Sequence, residues 1–154
     1  MKIEDILPIE AIKIGLIVKD KNELLSKMVE LASTTGKVKD LDEVLKQVIE
    51  RENLATTSLG NGLAFSHTKS FSIESLCASF TVLKTPLNYD LCIEKPVQVV
   101  FMLLANENEI GKQLRYLSFF SKTLSNKDTI QKILQFTNEK EVLDLLTEII
   151  KNLK

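Results

Sequence analysis

Apolar and polar positions along the chain follow two periods, and this alternation predicts an α/β structure. Residues 11 to 18 carry apolar side chains at alternate positions, which is typical of a strand, although Gly15 interrupts the run. A β-rich run at 76 to 83 predicts a further strand, followed by a turn at residues 85 and 86. The run from 97 to 105 is nearly all apolar, as expected of a buried central strand.

Helical spacing of apolar residues marks five further segments. Asp40 with Glu43, and Asn138 with Glu141, form patterns typical of helix N-termini, and Gly36 fits a position just past a helix end. The second helix is expected to end near Arg51, and a turn is expected at residues 20 to 22. The predicted core stripes are Leu24, Leu25, Met28, Val29 and Ala32; Leu41, Val44, Leu45, Val48 and Ile49; Leu114, Leu117, Phe120 and Leu124; Ile130, Ile133 and Leu134; and Val142, Leu145, Leu146, Ile149, Ile150 and Leu153.

Length and composition agree with one ordinary globular domain. The chain has 154 residues, of which 44% are hydrophobic and 27% are charged, and it shows no internal repeat or low-complexity linker. We therefore predict an α/β fold with a single domain over residues 1 to 154, in which a mixed β-sheet is flanked by α-helices.

Charge and cysteine usage narrow the possible partners. Twenty Lys and Arg residues against 21 Asp and Glu leave no global field for nucleic acid, so no nucleic-acid partner is expected. The polar N-terminus and the lack of a long apolar stretch predict no membrane insertion and a cytoplasmic protein. Cys77 and Cys92 have apolar neighbours, which favours reduced, unreactive thiols.

The most informative chemistry lies around the single histidine, His67. It ends the glycine-containing run 59 to 67, whose short apolar segment 63 to 65 is a strand candidate, and Arg51 precedes this run. A neutral imidazole is a good nucleophile near pH 7, a guanidinium binds phosphate oxygens, and glycines allow close approach of the backbone, so the combination indicates phosphoryl transfer. Two structural explanations also fit: a cation at a helix C-terminus, and an ordinary hairpin turn at Asn61 and Gly62.

Known nucleotide-binding patterns are absent from the sequence. No Gly-Lys-Ser or Gly-Lys-Thr follows the glycines, and no carboxylate cluster is suited to Mg²⁺. We therefore expect no metal site and no cofactor, and we expect a protein rather than ATP to donate the phosphoryl group.

The run from Arg51 to His67 resembles the motif of a known family. Arg51-Glu52, a spacer, Thr57-Ser58-Leu59-Gly60-Asn61-Gly62-Leu63-Ala64-Phe65-Ser66-His67 is similar to the motif of enzyme IIA domains, fructose/mannitol and nitrogen-regulatory type, of the bacterial phosphoenolpyruvate-dependent phosphotransferase system. The stretches 84 to 87, 96 to 104 and 114 to 124 are similar to later blocks of that family.

The resemblance implies roles for individual residues. His67 would accept a phosphoryl group from the phosphocarrier HPr or a similar protein and pass it to a IIB domain, or use it as a signal to a regulatory target protein. Arg51 would lie near the phosphoryl oxygens, Thr57 would supply a hydroxyl, and the backbone of Gly60, Asn61 and Gly62 would shape the phosphate pocket. Contacts with partner proteins are expected around Leu59, Leu63 and Phe65.

The sequence departs from the family pattern at three positions. Gln113 stands where the family commonly has a second histidine, Ser66 replaces the usual proline, and Ser58 replaces the usual glycine. Because ligands gather at strand ends in open α/β sheets, Gln113 is expected close to His67, where its amide N–H can donate to phosphate but cannot carry charge.

Three functions remain open at this point: a carrier in sugar uptake, a regulatory module, and a scaffold that binds proteins without phosphoryl chemistry. The sequence shows no attached IIB or IIC segment, and its blocks around residues 85 and 96 look closer to the nitrogen-regulatory branch, so a regulatory role is favoured.

Overall fold

The computed structural model describes residues 2 to 89 and 95 to 152. Short 3₁₀ turns at Ile3–Asp5 and Ile9–Ala11 precede the first strand, and another at Glu107–Glu109 leads into the third helix. Cys92 and Leu153, for which the sequence made predictions, lie outside the described residues. The strands are β1 (Ile12–Leu16), β2 (Leu63–Lys69), β3 (Cys77–Leu87) and β4 (Val97–Ala105), and the helices are α1 (Lys21–Ser33), α2 (Leu41–Leu54), α3 (Ile110–Leu124), α4 (Lys127–Leu134) and α5 (Glu139–Ile150).

The four strands form one mixed sheet in the order β1-β3-β4-β2. β1 runs parallel to β3, β3 runs antiparallel to β4, and β2 runs parallel to β4. The predicted α/β fold, a mixed sheet flanked by helices, is confirmed. β2 is an edge strand, so the side chains at its C-terminal end are open to approach from the side.

Side chains that alternate along the strands divide the core into two layers. Phe65 of β2 and Phe101 of β4 stack with their ring centroids 4.7 Å apart, and Phe120 of α3 lies 5.2 Å from Phe101. Ala64 and Met102 point to the opposite face, where they belong to the cluster formed with α1 and α2. As predicted, β4 is buried in the centre of the sheet; only Gln98 is partly exposed along it.

Polar caps set where the helices begin. Asp40 accepts a hydrogen bond from the Glu43 backbone N–H, and Asn138 accepts one from the Glu141 N–H, which confirms both predicted caps. Asp20 caps α1 in the same way, so the expected turn at residues 20 to 22 is in fact the start of this helix.

Other predicted boundaries were wrong. Residues 85 and 86 form no turn but belong to β3. The exposed stretch 84 to 86 lies where the pairing between β3 and β4 is irregular. Pro86, which has no backbone N–H, is therefore tolerated there, because no regular inter-strand hydrogen bond is lost. α2 continues to Leu54, one turn beyond the expected end at Arg51. β1 is shorter than the predicted 11 to 18.

Leu114 and Cys77, whose surroundings were predicted from apolar patterns in the sequence, differ in their exposure. Leu114 was expected in the core but is 55% exposed, because it lies on the face of α3 directed away from the sheet. Cys77 is buried, and burial raises the pKa of its thiol to about 11, which suppresses the reactive thiolate at neutral pH.

Candidate functional site

His67 lies near the C-terminal end of β2, and its imidazole is half-buried. The Nδ1 atom lies 3.4 Å from the carbonyl oxygen of Phe65, and the Nε2 atom lies 3.4 Å from Nη2 of Arg51. Because a carbonyl only accepts and a guanidinium only donates, we assign the proton to Nδ1 and the free lone pair to Nε2. Nε2 is therefore the nucleophilic atom, and it faces a cation.

Its surroundings keep the imidazole neutral. Burial lowers the pKa of His67 below its ordinary value of 6.5, and the positive charge of Arg51 lowers this pKa as well. The hydrogen bond to the Phe65 carbonyl and the negative charge of Glu52 raise the pKa and offset part of the effect. The ring is uncharged at pH 7, as a nucleophilic imidazole must be.

A cavity of about 480 Å³ lies beside the imidazole. One wall belongs to α2 and includes Gln47 and Arg51, and the opposite wall belongs to the first turns of α3 and includes Gln113. His67 and Thr68 lie between the walls, at the end of β2. A cavity of this size can hold a phosphate-sized group together with an additional side chain.

Arg51 occupies the helix C-terminus that the sequence allowed, and it also contacts His67. It lies in the last turn of α2, and its Nη1 donates to the carbonyl oxygen of Ala55 at 3.1 Å. This contact satisfies a carbonyl at the helix end, while Nη2 of the same guanidinium meets His67. The helix terminus therefore orients the cation toward the imidazole.

Glu52 anchors the segment that follows Arg51. It is only 5% exposed, it accepts hydrogen bonds from the backbone N–H of Thr57 at 3.0 Å and from the Thr57 hydroxyl at 2.9 Å, and it pairs with Lys21 at 3.1 Å. The Thr57 hydroxyl also lies 3.0 Å from the hydroxyl of Tyr89. Thr57 therefore belongs to this buried network and does not line the cavity, so its predicted phosphate contact finds no support in the geometry.

The glycine loop likewise lies apart from the imidazole. Gly60 and Gly62 have φ angles of +85° and +89°, which glycine adopts without strain, and together they turn the chain into β2. Asn61 donates from its side chain to the carbonyl of Ser125 at 2.6 Å and so ties the loop to the end of α3. Four residues of strand lie between Gly62 and His67, so five steps along the chain separate the two positions by about 16 Å. None of the three loop residues lines the cavity, so their predicted role as a phosphate cradle is also unsupported.

Gln113 does lie on the cavity with His67, as the topology suggested. It is 4% exposed, and its Nε2 donates to the carbonyl oxygens of Thr68 at 2.9 Å and Leu103 at 3.2 Å. These bonds tie α3 to the ends of the parallel strands β2 and β4. Because the amide nitrogen already has two acceptors, a phosphoryl group would have to compete for it.

The sequence motif did not indicate several of the residues that line the cavity. Gln47 lies four residues before Arg51, a spacing that places both on one face of α2, and Thr68 directly follows His67. Leu54, Ile110 and Leu114 form an apolar rim and are 83%, 38% and 55% exposed. Helical spacing from Arg51 could have found Gln47, whereas the rim becomes apparent only once α2 and α3 are placed in space.

Within residues 2 to 89 and 95 to 152, no group of three or more His, Cys, Asp or Glu side chains is arranged to hold a metal ion. None of the helices in this part of the chain combines the length and the apolar character that crossing a bilayer requires.

Comparison with known proteins gives a consistent family assignment. Residues 5 to 149 match the family described as "Phosphoenolpyruvate-dependent sugar phosphotransferase system, EIIA 2". The chain is 28% identical over 149 residues to a fructose-specific EIIA component from Haloferax volcanii, with 97% of each chain covered. It is 31% identical over 135 residues to a nitrogen regulatory protein from Bradyrhizobium diazoefficiens, with 86% of each chain covered.

The fold leads to the same family. The crystal structure of nitrogen regulatory protein IIA-Ntr from Neisseria meningitidis superimposes with a TM-score of 0.87 at 28% identity, covering 94% of this chain and 99% of that chain. The family match over residues 5 to 149 spans the positions of Arg51 and His67. The chain therefore belongs to the EIIA 2 family of the phosphoenolpyruvate-dependent sugar phosphotransferase system.

Proposed function

We propose that Nε2 of His67 accepts a phosphoryl group from an HPr-like phosphocarrier and passes it to a IIB domain or holds it as a regulatory signal. The observation that carries this proposal is the 3.4 Å approach of the Arg51 guanidinium to a neutral, half-buried imidazole at the edge of a cavity. A phosphohistidine carrier needs such an acceptor, together with a fixed positive charge where the phosphoryl oxygens arrive.

The transfer exchanges one phosphorus–nitrogen bond for another. The lone pair of Nε2 attacks phosphorus while the bond from phosphorus to the donor histidine breaks, and that bond's electron pair returns to the donor ring. The His67 ring gains positive character as the new bond forms. The carbonyl of Phe65, which accepts from Nδ1–H, stabilises this charge and holds the tautomer that leaves Nε2 free.

Arg51 supplies the electrostatic part of the chemistry. The transferred group carries its charge on three peripheral oxygens, and a guanidinium fixed beside the acceptor atom stabilises them without reorganising during the reaction. The buried network of Glu52 and Thr57 supports this arrangement, because it fixes the end of α2 on which Arg51 stands.

The rim of the cavity supports a docking surface for proteins. Leu54, Ile110 and Leu114 are apolar and exposed next to His67, and the same lining carries both signs of charge, with Glu50 and Glu107 beside Arg51 and Lys69. A phosphocarrier with an apolar face around its own histidine is complementary to this apolar rim. Of the three contacts that the sequence suggested, Leu63 and Phe65 are 0% and 2% exposed and are unsuited to docking, whereas Leu59 is 44% exposed but does not line the cavity. We therefore place the docking surface at the other end of β2, next to His67.

The relatives leave the choice between transport and regulation open, since a fructose-specific component and a nitrogen regulatory protein match at similar identity. We favour the regulatory role because of the sequence blocks that follow His67. In either role we expect the protein in the cytoplasm, where its phosphocarrier would act.

The alternative is a scaffold that binds proteins without phosphoryl chemistry, and one observation favours it. Gln113, at the position of the second histidine of the family, uses its amide nitrogen to hold two backbone carbonyls. On this alternative the cavity would still receive a partner side chain, but His67 would not become phosphorylated.

Incubation with phosphoenolpyruvate, enzyme I and HPr, followed by intact-mass measurement, separates these functions. An acid-labile phosphate on the wild type and none on His67→Ala supports phosphoryl transfer, whereas no adduct on the wild type supports the scaffold. Addition of IIB domains then distinguishes the first two roles. Transfer of the phosphate from His67 to a IIB domain indicates transport. Binding of some other protein only when His67 is phosphorylated, or only when it is not, indicates regulation.

A further inference from the structure

A second cation, Lys69, borders the cavity beside His67. Lys69 lies two residues after His67 on β2, and side chains two apart in a strand point to the same face of the sheet. Their Cα atoms are separated by about 6.6 Å, a distance that the flexible four-carbon stem of a lysine can span. Lys69 is exposed, and within residues 2 to 89 and 95 to 152 its ammonium has no ion-pair or hydrogen-bond partner. It is therefore free to move toward an anion on the imidazole.

The charged side chains that line the cavity balance one another before any phosphoryl group arrives. Arg51 and Lys69 are positive, and Glu50 and Glu107 are negative. A phosphoryl group adds close to two negative charges. Arg51 offsets at most one of them, and part of its guanidinium is already bonded to the carbonyl of Ala55. The phosphorylated site needs a further positive charge, and among these lining residues Lys69 is the one that can supply it.

Gln113 does not supply that charge. Its side chain is neutral, and its amide nitrogen already donates to two backbone carbonyls. The ammonium of Lys69 differs on both counts, since it is charged and its three N–H donors are not engaged. The two cations also approach from different elements, Arg51 from the last turn of α2 and Lys69 from the end of β2. They can therefore contact different oxygens of the same group.

We propose that Lys69 is the second cation of the phosphoryl site, and that its ammonium binds the peripheral oxygens of the phosphoryl group on His67. The inference deepens the proposed function and rests on it. Phosphorylation draws the exposed ammonium to these oxygens without breaking an existing ion pair. The contact favours the doubly charged form of the phosphoryl group, so it lowers the pKa of that group and shifts the transfer equilibrium toward phosphorylated His67.

Three variants test the inference. Lys69→Gln removes the charge, Lys69→Arg keeps it, and Lys46→Gln removes a matched charge from α2. Lys46 is likewise exposed and precedes the lining residue Gln47, but it does not line the cavity itself. Each protein is phosphorylated with phosphoramidate as a small-molecule donor, and a ³¹P NMR titration gives the pKa of the phosphoryl group. Each protein is also equilibrated with phosphorylated HPr, and intact mass gives the phosphorylated-to-free ratio.

We expect Lys69→Gln to lower the phosphorylated-to-free ratio by about fivefold, which equals about 1 kcal/mol and is the attraction expected of two unit charges in contact near water. The same variant should raise the pKa of the phosphoryl group by about 0.5, because the doubly charged form loses its partner. Lys69→Arg and Lys46→Gln should match the wild type in both measurements. All four proteins should unfold at the same temperature, because both lysines are exposed.

An unchanged phosphoryl pKa in Lys69→Gln, or an equal rise in Lys46→Gln or Lys69→Arg, overturns the inference and leaves the proposed function intact. A lower ratio without a change in this pKa also overturns it, because the lysine would then act on the docking of HPr. Failure of the wild type to become phosphorylated at His67 by either donor overturns both. If phosphoramidate phosphorylates His67 but HPr does not, the carrier proposal fails, and the phosphoryl pKa still decides the role of Lys69.

Discussion

Glu52 holds Thr57 through both its backbone N–H, at 3.0 Å, and its hydroxyl, at 2.9 Å. The carboxylate thereby fixes the chain as it leaves α2, one residue after Arg51. The Arg-Glu pair of the motif thus divides its tasks: Arg51 meets the imidazole, and Glu52 keeps the helix end in place.

We expect Glu52→Gln to destabilise the fold by about 2 kcal/mol, since it removes the buried negative charge that accepts hydrogen bonds from Thr57 and pairs with Lys21. It should also lower the pKa of His67, because the negative charge of Glu52 raises that pKa in the wild type. Chemical denaturation and NMR titration of the single histidine measure the two effects. Glu50→Gln, an exposed neighbour on the same helix, is the control and should stay within about 0.5 kcal/mol of the wild type; equal stability of both variants would contradict the anchoring role.

Arg51→Ala should reduce the rate of phosphoryl transfer to His67 by about 100-fold, because it removes the cation beside the acceptor atom. Quenched-flow transfer from phosphorylated HPr measures this rate. The same substitution should raise the pKa of His67, since the charge of Arg51 lowers it. Arg115 is exposed on α3 and does not line the cavity, so Arg115→Ala should transfer at the wild-type rate. A similar loss in both variants would show that general positive charge, rather than the contact with His67, supports transfer.

The lowered pKa of His67 predicts how transfer and stability depend on pH. Nε2 is available above the folded-state pKa, so the transfer rate should stay constant at neutral pH and fall only as the pH drops through a value below 6.5. The unfolded chain binds a proton at His67 more readily than the folded protein does. The contribution of His67 to the free energy of unfolding is therefore fully present above pH 6.5, and it is lost as the pH falls through the folded-state pKa. Denaturation curves of the wild type and His67→Gln across this window should differ in slope; parallel curves would contradict the shift.

The apolar rim predicts a substitution that separates binding from folding. Leu114→Asp should weaken binding to HPr by at least about tenfold, because it places a charge in the centre of the docking surface, while the thermal midpoint stays near that of the wild type. Isothermal titration calorimetry measures the affinity. Ile17 is 68% exposed and follows β1, at the opposite edge of the sheet from β2, so Ile17→Asp is the matched control. Weaker binding of HPr to the Ile17 variant, or an unchanged affinity in the Leu114 variant, would place the docking surface elsewhere.

Sequence patterns were sufficient for the fold and for the pair of His67 and Arg51. The apolar run of β4 and the caps at Asp40 and Asn138 follow from local physics, so they could be predicted from neighbouring residues alone. The regulatory preference and the division between sugar transport and signalling do not follow from local physics and stay predictions.

The other site residues were harder to predict because a contiguous motif does not form a contiguous site. β2 is extended, so the loop before it and the histidine near its end are separated along the sheet by about 16 Å. Thr57 has a hydroxyl in the expected position of the motif, but the buried carboxylate of Glu52, five residues earlier, is its hydrogen-bond partner, and Thr57 does not line the cavity. Ile110 and Leu114 reach the cavity through the packing of α2 and α3, which their own neighbours in sequence do not reveal.

The chain has one histidine, so a long-range ¹H–¹⁵N spectrum of the imidazole, recorded before and after incubation with phosphoenolpyruvate, enzyme I and HPr, reads the acceptor atom without ambiguity. We predict a neutral ring with the proton on Nδ1 before incubation, and phosphorus coupling to Nε2 afterwards. Coupling to Nδ1 instead, or an unchanged ring in the presence of an active donor, would contradict the assignment of His67 Nε2 as the phosphoryl acceptor.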